Sequence, residues 1–185
     1  MNFKVLFLGV LLLSGCATVE TTSRVDSAIQ AREYNRVSAR YEVRPTFVRV
    51  DEMSGGESVL VVERYDYGGA QSIVTFSDQE VEGYIARIDK YLSWARLASE
   101  RQDILNKDIG EVPTWASLGD GALKFSFYSG SVNSHFLVVS YCAAGMCLDD
   151  KALFFDFVSA GELKSMLSSF RLGQLSKAMS DDVYR

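Results

Sequence analysis

Few side chains in this sequence could carry out chemistry near neutral pH. One histidine, His135, and three cysteines are present in 185 residues, and general acid–base work, metal ligation and nucleophilic attack draw on these types first. His135 opens the alternating run His135, Leu137, Val139, Tyr141, the pattern of a half-buried strand, where a packed imidazole is a stronger expectation than a base. No G-x-S-x-G, H-E-x-x-H, G-x-x-x-x-G-K-S/T or G-x-G-x-x-G occurs, so nothing points to acyl transfer, zinc proteolysis or nucleotide binding. The carboxylates of Asp51, Glu52, Asp149 and Asp150 sit beside turns, where solvation accounts for them. A hydrolase built on paired carboxylates stays open, because such pairs meet in space rather than in sequence. No cofactor is expected.

Cys142 and Cys147 bracket Ala143-Ala144-Gly145-Met146 at the link between two expected strands, which lets them face one another across a hairpin. The spacing is not C-x-x-C, which argues against a dithiol catalyst. It is not zinc-ligand spacing either, so no metal site is expected from these two cysteines with His135 and a carboxylate. With 19 Lys+Arg against 24 Asp+Glu, the formal charge is -5. That leaves no basic excess to hold a phosphate backbone, and no nucleic-acid partner is expected.

The N-terminus is an address. Met1 to Lys4 form a short, positively charged start, Val5 to Leu13 an apolar run interrupted by Gly9, and Leu13-Ser14-Gly15-Cys16 follows; this is the three-part pattern of a secretory signal peptide. The run is shorter than the roughly 20 residues a membrane-spanning helix needs. Leu13-Ser14-Gly15-Cys16 resembles the lipobox of bacterial lipoproteins. The resemblance implies removal of residues 1–15, lipidation of Cys16 and attachment to a membrane through that lipid. Lipoproteins retained at the inner membrane commonly carry aspartate after the cysteine, whereas this sequence has Ala17, so the outer membrane is expected, with the domain facing the periplasm. The two or three acyl chains implied would anchor the protein stably, which one chain does not. In that oxidising compartment Cys142 and Cys147 are expected to be joined, with a loop-closure contribution of about 2 kcal/mol.

The elements that must position these residues are read from periodicity. Residues 16–23 form the lipidated cysteine and a small, polar linker, and 24–185 a single domain. Val25, Ala28 and Ile29 predict a helix within Arg24 to Tyr34; Val37, Ala39, Tyr41 and Val43 then predict a strand from Arg36 to Arg44 with a basic outer face. Thr46 to Val50 and Ser58 to Tyr65 read as strands joined by Ser54-Gly55-Gly56, and Leu123 to Tyr128 and His135 to Tyr141 as strands joined by Ser129 to Ser134. Ser72 to Phe76 and Ala152 to Val158 read as third strands. Each runs into an S-x-x-E capping box, Ser77 to Glu80 and Ser159 to Glu162. The helical positions Val81, Tyr84, Ile85 and Ile88 recur as Leu163, Met166, Leu167 and Phe170.

The fold class is therefore α+β: an antiparallel sheet from two β-β-β-α units, residues 46–103 and 122–173, with both helices on one face. The first helix also presents Tyr91, Trp94 and Leu97 on flanking faces. Either Ile104 to Gly121 covers them, or they form a partner-binding patch. The second unit is longer than the first between its second and third strands, around the cysteine pair. The expected function is a non-catalytic binding or envelope-assembly role with an envelope protein or glycan as partner. Tyr141, Met146, Asp149 and Asp150 form the rim of the contact, and Trp94 a second candidate. The alternatives are a carboxylate-dependent envelope hydrolase and a hydrolase-inhibitor or immunity-type lipoprotein.

Overall fold

The computed structural model describes residues 18–116 and 121–175. In chain order the elements are β1 (Val19–Val25), β2 (Ala31–Asn35), β3 (Arg40–Val43), β4 (Thr46–Met53), β5 (Ser58–Tyr65), β6 (Gln71–Ser77), α1 (Val81–Arg101), β7 (Asn106–Thr114), β8 (Gly121–Ser131), β9 (Ser134–Ala143), β10 (Met146–Cys147), β11 (Leu153–Phe155) and α2 (Phe157–Arg171). The class is α+β, with antiparallel strand pairing throughout the described residues. The strands divide into two sheets instead of the single one expected. One has the order β1-β4-β5-β6; the other runs β3-β2-β11-β9-β8-β7, with β10 on β9.

Both helices and both sheets contribute to one core. Val48, Leu60, Val74 and Phe76 come from the first sheet, Leu123, Phe125, Leu137 and Val139 from the second, Tyr84, Ile88 and Tyr91 from α1, and Leu163 and Leu167 from α2. Tyr84 joins the layers: its ring meets Phe76 edge-on at 5.1 Å and Phe125 at 6.1 Å. Its hydroxyl donates to the Pro113 carbonyl at 2.6 Å and accepts from the Ser77 N–H at 3.2 Å. Burying so large a side chain is favourable only because that hydroxyl finds partners. Tyr91 does the same through the His135 carbonyl at 2.9 Å.

Several local expectations are corrected by tertiary pairing. Where a linker was expected, Val19–Val25 is a strand in register with β4, and Thr22 donates to Asp51 at 2.8 Å. The expected helix from Arg24 to Tyr34 is replaced by the end of β1, a turn in which Ser27 accepts from the Ile29 N–H, and β2. Asp26 and Ser27 offer the backbone side-chain partners that compete with helix. The strand expected from Arg36 begins only at Arg40. Asn35 accepts from the N–H groups of Val37 and Ser38, and Ala39 takes a left-handed φ of 51°; an asparagine closing its own backbone turn outweighs the alternating pattern.

The strand expected from Ala152 to Val158 is confined to Leu153–Phe155, because Asp156, not Ser159, caps α2, accepting from the Ser159 N–H at 2.9 Å. Ser77 does cap a short 3-10 turn, Asp78–Glu80, that leads into α1. Ile104 to Gly121, expected as a covering connection, contains β7. This edge strand pairs with β8 and buries Ile109 and Val112 in the core.

The β2–β3 hairpin curls over the outer face of the second sheet. Although β3 pairs only with β2, the Tyr41 ring lies 4.7 Å from Phe136, 4.9 Å from Phe154 and 5.7 Å from Tyr128. No helix among the described residues is long and apolar enough to cross a membrane.

Candidate functional site

The cysteine hairpin is built by a short turn with strict backbone demands. Between β9 and β10 only Ala144 and Gly145 turn the chain, with φ of 51° and 76°, the paired left-handed conformation whose twist matches flanking antiparallel strands. The register places Met146 opposite Ala143 and Cys147 opposite Cys142. The two sulfurs are bonded, with the Cα atoms 4.0 Å apart. The tip is thus a two-residue turn locked by a disulfide, tighter than the four-residue loop between the cysteines.

Around this tip the expected rim residues separate into two groups. Met146 is 72% exposed and Leu148 is exposed beside it; Asp149 and Asp150 follow in an exposed 3-10 turn, Asp149–Lys151. These four exposed residues fall within the five positions 146–150. Tyr141 is half-buried and packs on the core, its ring set against the Gly121 backbone so closely that a Cβ there would lie 3.0 Å from Cε2. Trp94 sits on α1, its ring edge-on to Phe127 at 6.2 Å, with the Lys90 and Lys107 ammonium groups 4.9 and 5.0 Å from the ring. Lys107 belongs to β7, within the segment expected either to cover this face or to leave it open; Trp94 is half-buried against the core, while Leu97 on the same helix is exposed.

The groups with chemical potential are committed elsewhere. His135 is buried, stacked on Phe127 at 5.4 Å, and its Nδ1 meets Ser129 Oγ at 2.9 Å. That hydroxyl also accepts from the Leu105 N–H, and with its proton and second lone pair it can either donate to Nδ1 or accept from it, according to the ring tautomer. Burial lowers the imidazole pKa and keeps the ring neutral. The Glu111 carboxylate and the two cysteine sulfurs lie within 4.8 Å of one another, but both sulfurs are spent in the disulfide and offer no thiolate.

A cavity of about 740 Å³ lies among the second half of α1, the start of α2, the β8–β9 turn and the β2–β3 hairpin. Its lining carboxylates are Glu100 and Asp156. Burial pushes the Asp156 pKa up, but the Ser159 N–H and Arg32 outweigh it and hold the group below the usual carboxylate range. Arg32 contributes two bonds, at 2.8 and 3.2 Å.

No protein-family model matches the chain, and no curated protein or solved structure shows significant similarity to it.

Little in the sequence pointed to this cavity. Its arginines, Arg32, Arg40 and Arg96, come from β2, β3 and α1; the basic face read over residues 36–44 was the only signal, and it covers one of the three. Cys16 and the signal segment lie outside the described residues.

Proposed function

We propose that this protein is a lipoprotein, anchored to the outer membrane through Cys16, whose periplasmic domain binds an envelope protein or glycan without catalysing a reaction. The observation that carries the binding role is the disulfide-locked hairpin with Met146, Leu148, Asp149 and Asp150 exposed around it. A contact loop whose conformation is already fixed loses little further entropy on association, and an exposed methionine beside carboxylates offers an apolar anchor with a polar rim.

The same reading treats β4-β5-β6-α1 and β8-β9-β11-α2 as two copies of one strand-strand-strand-helix unit. In both, the three strands pair antiparallel in sequence order before the helix, and the first strand carries one further partner, β1 on β4 and β7 on β8. Only the second unit interposes β10, the disulfide and the Asp149–Lys151 turn between its second and third strands. A core extension would bury these residues, yet Ala144, Gly145, Met146 and Leu148 are exposed.

The competing hydrolase needs one protonated and one ionised carboxylate across a cleft. Asp156 fits the first role poorly, because Arg32 and the start of α2 keep it ionised and occupied. A photo-crosslinking residue in place of Met146, in intact cells, tests the binding role. A discrete adduct with an envelope protein or with glycan is expected. Absence of any adduct, together with full function after Ala143 to Met146 is shortened and both cysteines are replaced by serine, would overturn it.

A further inference from the structure

Independently of the cysteine hairpin, the cleft between α1, α2 and the curled β2–β3 hairpin holds several hydrogen-bond donors that have no partner among the described residues, beside one exposed carboxylate, Glu100, at its rim. Its volume of about 740 Å³ falls in the range of small-molecule sites. Three guanidinium groups line it, from Arg32, Arg40 and Arg96, against the carboxylates of Glu100 and Asp156. Asp156 is taken by Arg32, and Arg40 pairs at the exposed edge with Glu42 at 3.0 Å. Arg96 has no carboxylate partner among the described residues; its guanidinium carbon lies 5.5 Å from the centre of the Phe157 ring.

Phe157 and Val158, the first two residues of α2, line the same cleft. The first turn of a helix leaves its N–H groups without intrahelical acceptors and carries partial positive charge. Asp156 satisfies the Ser159 N–H, whereas the N–H groups of Phe157 and Val158 make no hydrogen bond among the described residues. A second, independent feature points the same way. His135 also lines the cleft, is 7% exposed, and has its Nε2 buried with no partner. In the tautomer that carries the ring hydrogen on Nε2, with Nδ1 accepting from Ser129, that nitrogen is a buried donor, and a buried donor is costly to leave without an acceptor. Tyr41, Phe136 and Phe157 supply aromatic surface beside these donors.

We infer that this cleft binds an organic anion, a carboxylate or phosphate group carried on a partly apolar body, with the anionic group held by Arg96, the first turn of α2 and His135. Benzoate and phenyl phosphate, titrated separately into the full chain in a non-ionic detergent, test it by nuclear magnetic resonance, with uncharged benzamide as control. Saturable shifts of the Phe157 and Val158 amides and of the His135 ring nitrogens are expected with at least one anion and not with benzamide. The tighter anion identifies the head group as carboxylate or phosphate. Arg96 is exposed, so Arg96→Gln folds normally, and it should weaken binding about tenfold through loss of a charge-assisted contact. Equal shifts with benzamide, no saturable shift with either anion, or unchanged affinity in Arg96→Gln would each overturn the inference.

Discussion

Arg64 and Asp66 form an ion pair of 2.7 Å inside the protein, the arginine only 3% exposed, and through it the two sheets are joined. Arg64 stands on β5 of the first sheet, yet its Nη1 donates to the carbonyls of Arg32 at 2.7 Å and Ala152 at 3.0 Å, beside β2 and β11 of the second. Ser72 and Lys151 complete the shell around Asp66. A buried charge is tolerable only when fully partnered in this way.

Replacing Arg64 with methionine leaves Asp66 without its main counter-charge and strands two buried carbonyls. The expected loss is about 3–5 kcal/mol of unfolding free energy, the usual consequence of breaking a buried pair from one side. Urea denaturation measures it. Burial raises the Asp66 pKa, but Ser72 and Arg64 outweigh burial and hold it below the ordinary value. The folded state therefore binds this proton less readily than the unfolded chain. The stabilisation is complete above the unfolded pKa of about 3.9 and is lost as the pH falls through the lower folded value. Arg64→Met should flatten that acid limb; an unchanged limb would assign it to other carboxylates.

His135 gives a second pH dependence in a higher range. Burial depresses its pKa in the folded state, so the unfolded chain takes up the proton first. Stability from this group is full above the unfolded pKa of about 6.5 and declines as the pH drops from there through the folded value. His135→Phe keeps the stacking surface toward Phe127 and removes the titration. Thermal unfolding at pH 7.5 and pH 5 should show a smaller difference in the variant than in the parent.

Thiol counting tests the anchor and the staple together. Denatured mature protein should react with no thiol reagent, because Cys142 and Cys147 are bonded and an acylated Cys16 carries a thioether. After reduction two thiols should appear; a third would show that Cys16 is unmodified. Cys16→Ala should leave a precursor of full length without acyl mass. Reduction should lower stability by about 2 kcal/mol, the closure entropy of so short a loop.

Elements with their own local signals were legible in the sequence. Ser58–Tyr65 carries strand residues after Gly55-Gly56, and Gly56 adopts φ 79° in the turn. The stripe Val81, Tyr84, Ile88 is the buried face of α1. What stayed illegible depends on partners far along the chain. β1 is rich in threonine and mostly exposed, and is a strand because β4 pairs with it. β7 contains Gly110, at φ 140° beside a register shift, and Pro113; both residue types are depleted in strand interiors, yet an edge strand tolerates a missing N–H and a bulge. The cleft was hidden for a similar reason: residues 32, 40, 96 and 135 meet only after the hairpin curls over the sheet.

Two glycines in helices predict opposite outcomes for the same substitution. At Gly83 on α1, a Cβ would lie 2.8 Å from Cγ1 of Val112, and Val112 is 3% exposed on β7, with little room to move aside. Removing a helical glycine contributes about 1 kcal/mol of helix propensity, whereas forcing a methyl into a packed contact costs about 1–3 kcal/mol. The contact wins, and Gly83→Ala should destabilise the protein. At Gly161 on α2 nothing lies within 4 Å of the added Cβ, so only propensity acts and Gly161→Ala should stabilise by up to about 1 kcal/mol. Chemical denaturation of the two variants decides it. A stabilised Gly83→Ala would mean that α1 does not press on β7 through this glycine, and that the buried strand edge is held by Ile109 and the Tyr84–Pro113 hydrogen bond instead.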